Sequence, residues 1–310
     1  MHGIIQYILS VDFLNSILRM STPLMFVAMA AVVGAKADIL CIAYEGMMLV
    51  AAFGGTVGSA FTQSLLAGTV IGLASGMLIA AVFAYFVLVL NTKPMLVGLA
   101  LNMLGSGGTI YFMYMLTGSK ANTSSLKSLS FPSINIPIIE NIPYLGEIVS
   151  GQNLLTYLSF LSVLLVYVLI YKMPLGLRIR SVGEDPAVAE SVGINVVKTK
   201  FTALMISGFL ASLGGMFMTM GYLSSFTRDI VSGRGFIGIA AQNLGRGHPG
   251  LTMLCTIIFG GATAIGNVAQ SYRMPNQLAN MLPYVVTMIG LMFTSSSFDG
   301  KKHKTVRSKK

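Results

Sequence analysis

"GEDPAVAESVGINVVKTK", Gly183 to Lys200, is the most polar stretch in the interior of this chain, and it runs straight into the apolar segment 201–222. Asp185 is a good N-cap, and Pro186 stands at the first helical position, where its missing N–H costs nothing. Gly193 supplies a stop. These signals predict a helix over Pro186–Val192. Two turns do not hold together in water unaided, so this helix needs a surface to pack on. The apolar run behind it has about the ~20 residues that cross a bilayer, which puts the helix in a loop at a membrane face.

The rest of the chain agrees. Of 310 residues, 54% are hydrophobic, only 10% are charged and 34 are Gly, with a mean hydropathy of +0.77. That composition belongs to the membrane class. Apolar runs of spanning length lie near 20–35, 39–61, 65–90, 95–117, 153–171, 201–222, 250–269 and 277–295. A shorter one, "FIGIAAQNL" (Phe236–Leu244), is too short to span and is flanked by Gly. It reads as a broken or re-entrant helix, a form tolerated where protein or a water-filled cavity satisfies its backbone. The expected fold is therefore all-α, a polytopic membrane protein of about 8–10 transmembrane helices. Residues 1–19 are expected to form a retained amphipathic segment, 20–298 the membrane domain and 299–310 a basic tail. Cys41 and Cys255 lie in apolar surroundings and read as small buried hydrophobes.

Lys and Arg set the expected orientation. If the 172–200 loop faces the cytoplasm and the spans alternate, with the short segment also crossing, fourteen of the 20 Lys and Arg face inward. Six, among them Arg19, Lys120 and Arg228, face outward. This is the positive-inside bias, and it expects a cytoplasmic C-terminus and an extracytoplasmic 118–152 loop. The basic residues gather at the ends of apolar runs and in the tail. They do not line a soluble face interleaved with aromatics, so no nucleic-acid partner is expected.

Enzyme chemistry finds no foothold. His2, His248 and His303 have no Cys or carboxylate at metal-ligand spacing, so no metal site is expected. "GRGFIG" (Gly233–Gly238) matches Gly-x-Gly-x-x-Gly, but no strand precedes it; its glycines fit a bend into the broken helix. The sequence contains no Gly-x4-Gly-Lys-Ser/Thr. What remains is polar residues inside apolar runs. Glu45 is the one acid well within a span. It can anchor its helix or a neighbour near the membrane face, or serve a pathway or gate. Asn102, Gln242 and Asn243 can hydrogen-bond between helices or line a polar path. Gly54 and Gly58, with Gly68, Gly72 and Gly76, have the spacing of close helix packing.

Four blocks, "TPLMFVAMAAVVGAKADILCIAYEGMMLVAAFGG", "NTKPMLVGLALNMLG", "GLRIRSVGEDPAVAESVGINVVKTKFTALMISGFLASLGGMF" and "GRGFIGIAAQNLGRGHPG", occur in an order and spacing that resembles permease subunits of bacterial ABC importers. The resemblance covers roughly 20–295 and is to the ribose, simple-sugar and branched-chain amino-acid permease family, within which the chain looks most like the nucleoside-type permeases. At "ILCIAYEGMM" it departs from the family, with Cys41 and Ala43 where relatives often read Leu-Asn-Ile-Gly before Glu-Gly.

The resemblance implies a transport subunit that is not itself an enzyme, in a bacterial cytoplasmic membrane. Its implied partners are a separate ATPase subunit that binds the ATP, a second homologous permease, a substrate-binding lipoprotein and a small-molecule substrate. It also gives the loop helix a role. Glu184, Asp185, Pro186, Ala187, Val188, Glu190 and Gly193 would form a coupling helix docked on the ATPase, small apolar contacts at its centre and acids at the rim. The alternative substrates are ribose or another simple sugar, or a branched-chain amino acid. An ion-coupled secondary transporter is disfavoured, since the chain holds a single acid well within a span.

Overall fold

The computed structural model describes residues 11–126, 128–134 and 150–271, with 281–283, 285, 286 and 288. The chain forms helices α1 (Val11–Lys36), α2 (Tyr44–Thr62), α3 (Leu65–Ala84, running on as a π-helical turn Tyr85–Val89) and α4 (Pro94–Thr117). A two-residue antiparallel pair, β1 (Ser133–Ile134) and β2 (Gln152–Asn153), leads into α5 (Leu154–Lys172). Then come α6 (Pro174–Glu184), α7 (Pro186–Ser191), α8 (Val196–Met216, continuing as π-helical Phe217–Leu223), α9 (Arg234–Leu244) and α10 (Pro249–Ser271). Among the described residues, six helices are long and apolar enough to cross a membrane: α1, α3, α4, α5, α8 and α10. The 19-residue α2 also lies among them; Glu45 and its run of Gly, Ser and Thr dilute its apolarity. It is buried over most of its length, so it needs little lipid-facing surface.

The core is made by α1 and α8, 83% and 67% buried over their apolar windows, with α2 and α9 against them. By contrast α3, α4, α5 and α10 are 28–39% buried. Their outer faces carry Leu66, Leu78, Met103, Leu164 and Ile258, the composition a helix shows to lipid. Glycine sets the closest pairing, α2 on α3. A Cβ on Gly68 would lie 2.6 Å from Ser59 Cβ, and one on Gly58 2.9 Å from Ile71, so the expected small-residue seam is there.

Three boundaries differ from the sequence reading. The division at 19/20 falls inside α1, which is continuous from Val11. Within its described part, Phe13, Ile17 and Met20 pack on Ala264 and Val268 of α10, while Asp12 and Arg19 are exposed. Secondly, the loop 172–200 holds two helices where one was predicted, because Pro174 starts α6 and its buried Gly176, Ile179 and Val182 hold it against the body. Thirdly, the span expected from 39 begins at Tyr44. Asp38, in the left-handed region at φ 53°, ends α1 and turns the chain back into the protein. Tyr44 then donates its hydroxyl to Ala30 O at 3.2 Å, six residues before the end of α1, or about 9 Å along its axis.

The short segment crosses. Gly238 of α9 packs on Val27 and Ala28 of α1, and Gln242 lies beside Ala31 and Ala35, so α9 runs parallel to α1 and ends beside Lys36. Gly260 meets Ser21, so α10 runs back antiparallel. Lys36, Arg180, Arg246 and His248 thus share one basic end. At the other end the 121–131 strip lies on the turn after α8, Phe131 N–H donating to Met220 O at 2.8 Å and Thr123 N–H to Phe226 O at 2.9 Å. Residues 1–10, 135–149 of the expected outer loop, most of the span near 277–295 and the 299–310 tail lie outside the described residues.

Candidate functional site

The predicted loop helix is present, with its cap. Asp185 Oδ1 accepts from Ala187 N–H at 2.9 Å and Val188 N–H at 3.2 Å. Gly193, at φ 84°, closes it in a conformation that other residues resist. Only Ala189 of α7 is buried; Glu184, Asp185, Pro186, Ala187, Val188, Glu190 and Gly193 are all exposed. Val188 and Val192, one turn apart, are 59% and 71% exposed. An apolar pair rimmed by Glu184 and Glu190 is left open to a partner.

Behind it, α6 is seated firmly. A Cβ at Gly176 would strike the backbone of Leu169, and one at Gly183 that of Lys36, so α6 approaches the ends of α5 and α1 as closely as backbone allows. Arg180 of α6 lies over the ring of Tyr171, 5.3 Å from its centroid. Tyr171 and Tyr167 in turn meet His248, with ring centroids 5.8 and 6.1 Å away. This stack joins the loop helices to the turn between α9 and α10. The sequence reading missed it, because Arg180, Tyr171 and His248 sit on three different elements.

The four intramembrane polar residues divide into two pairs. Glu45 is 7% exposed and both its oxygens are used: Oε1 accepts from Gly233 N–H at 2.7 Å, Oε2 from Gly235 N–H at 2.8 Å. The first turns of α2 and α9 therefore meet with one carboxylate between them, and it compensates the positive ends of two helix dipoles. Gly235 is required there, since a Cβ would lie 2.7 Å from Glu45 N. Asn102 on α4 clamps the start of α2 in the same way, donating to Ile42 O at 2.9 Å and accepting from Gly46 N–H at 2.8 Å. Both residues are occupied in holding helix ends. Gln242 and Asn243 instead line an open hollow of about 180 Å³ between α1, the 37–43 loop and α9, with Ala35, Asp38, Ile39 and Tyr44.

A bundle with a broken helix at its centre, a basic end and a capped two-helix loop carrying an unpartnered apolar pair is built as the membrane subunit of a transporter. Comparison with known proteins gives the family. Residues 13–291 match the family described as branched-chain amino acid transport system / permease component, and the chain belongs to it. It is a permease component of an ABC transport system. It is 31% identical to the guanosine ABC transporter permease protein NupQ of Bacillus subtilis (strain 168), over 87% of this chain and 88% of that one. It is 28% identical to the nucleoside ABC transporter permease protein NupC of Lactococcus lactis, over 87% and 88%. A third relative, TsgC13 of Haloferax volcanii, whose name assigns it provisionally to glucose, is 30% identical over 91% and 87%. A solved chain described as PsaBC from Streptococcus pneumoniae in complex with Fab shares the fold, with a TM-score of 0.55 at 13% identity, over 93% of this chain and 94% of that one.

Proposed function

We propose that this chain is a permease subunit of a nucleoside importer, and that it carries no ATPase of its own. ATP is bound by a separate ATPase subunit, onto which α7 docks through Val188 and Val192 with Glu184 and Glu190 at the rim. Two permeases enclose one path, so a second, homologous membrane subunit completes it, and a substrate-binding lipoprotein delivers the solute from outside. The basic end faces the cytoplasm and the C-terminus lies on that side, as the positive-inside bias favours. Closure of the ATPase pair moves α6 and α7 as a lever on α5, α1 and, through His248, the α9–α10 turn. The observation that carries the substrate is the pair of relatives named for guanosine and for nucleosides, each aligned over 87% of this chain. The relative named for glucose supports a second reading, a simple-sugar permease.

Competition separates the two. Cells carrying the intact transporter are given labelled guanosine with excess unlabelled nucleoside, ribose or glucose. Nucleosides should abolish labelled uptake while the sugars leave it unchanged. No guanosine uptake by the intact transporter, with labelled ribose or glucose taken up in its place, would overturn the assignment.

A further inference from the structure

We infer that the hollow between the end of α1, the 37–43 loop and α9 binds the transported solute near the basic end, and that the Gln242 side chain selects it there. The solute's identity rests on the nucleoside reading above; the site rests on the structure. Gln242 is 9% exposed, yet its side-chain amide forms no hydrogen bond with protein among the described residues, and it lines the hollow. Its polar atoms are not sealed off but stay accessible from the hollow, where a solute can bond them. Glu45 and Asn102, the other intramembrane polar candidates, are committed to backbone groups at helix ends, whereas the side chains of Gln242 and Asn243 face the hollow.

The lining states what fits. Gln242 and Asn243 each offer donors and an acceptor, Asp38 adds a carboxylate, and Ala35 and Ile39 supply apolar wall. Asp38 is exposed and held in the left-handed region at φ 53°, a conformation in which Asp is enriched. A carboxylate accepts from hydroxyl and N–H groups and repels phosphate. An uncharged solute with a flat apolar face, hydroxyls and an amide-like edge therefore suits the hollow, a nucleoside rather than a nucleotide. At about 180 Å³ the hollow is smaller than pockets that enclose a whole ligand of this kind, so it forms one wall of a site that opens toward the second subunit.

The test uses the complete transporter in inside-out membrane vesicles, with Asn243→Cys in this chain. Alkylation by N-ethylmaleimide, corrected for the parent carrying the native cysteines, is timed with and without guanosine, guanosine monophosphate or ribose. Guanosine at about ten times its Kd should slow labelling at 243 about tenfold, while the other two leave it unchanged. Met173→Cys, exposed between α5 and α6 and outside the docking residues, should label at one rate throughout. Unchanged labelling at 243 in vesicles that still move lumenal guanosine outward with ATP would overturn the site and leave the nucleoside reading standing. Protection by ribose alone would keep the site and overturn its nucleoside selectivity. Gln242→Met should raise the KM for guanosine about tenfold with the ATPase still co-purifying. An unaltered KM would remove Gln242 from the site; if the variant does not assemble, the labelling result decides.

Discussion

At Glu45 the sequence posed a choice between anchor and path, and its two hydrogen bonds to the start of α9 support an anchor. Glu45→Gln keeps the shape but turns one acceptor into an N–H donor facing the backbone N–H of Gly233 or Gly235. A hydrogen bond to a charged group contributes roughly 1.5–3 kcal/mol, so the variant should lose about that much stability. Thermal unfolding in detergent should report a lower Tm, and uptake should fall with it. Normal stability with slowed uptake would return Glu45 to the path. Asn102→Ala removes two cross-helix hydrogen bonds worth roughly 0.6 kcal/mol each, and should give a smaller drop by the same measurement. The sequence marked both residues as unusual in an apolar run. It did not name their partners, because Gly233 lies 188 positions from Glu45 and Ile42 lies 60 from Asn102.

Among the elements, α7 was legible because all its signals are local: a cap, a Pro at the first position and a Gly at the end. The helix α6 before it was not, since it follows the apolar α5 with only Met173 between. The start of α2 was misplaced for a tertiary reason: Tyr44 finds its acceptor on Ala30 of another helix. Two tests belong at this scale. Val188→Glu with Val192→Glu changes side chains that are 59% and 71% exposed, so the permease should insert and keep its Tm while the ATPase no longer co-purifies. Glu184→Arg with Glu190→Arg should weaken the same association by reversing the rim. Full uptake from either well-expressed double variant would refute the docking surface. Asp185→Ala removes the cap of α7, about 1 kcal/mol, and should lower uptake less than either double variant does.

For the whole molecule, the order of the described spans followed from apolar run length, and their sidedness rests on the Lys and Arg bias. The arrangement of buried α1, α2, α8 and α9 inside a lipid-facing ring was not legible, since run length does not say which helix is central. Sidedness is tested by Ser125→Cys and Ser191→Cys in intact cells: an impermeant thiol reagent should label the first and spare the second, and the reverse would invert the orientation. The central claim is that the chain forms the path of a nucleoside importer driven by a separate ATPase. The most direct measurement reconstitutes the chain with its ATPase, second permease and lipoprotein in proteoliposomes, ATPase side outward, and loads labelled guanosine inside with the lipoprotein. The account predicts guanosine transfer into the external medium that needs ATP and stops with Val188→Glu, Val192→Glu. Transfer that proceeds at the same rate without ATP, or that is unaffected by that double variant, would contradict it.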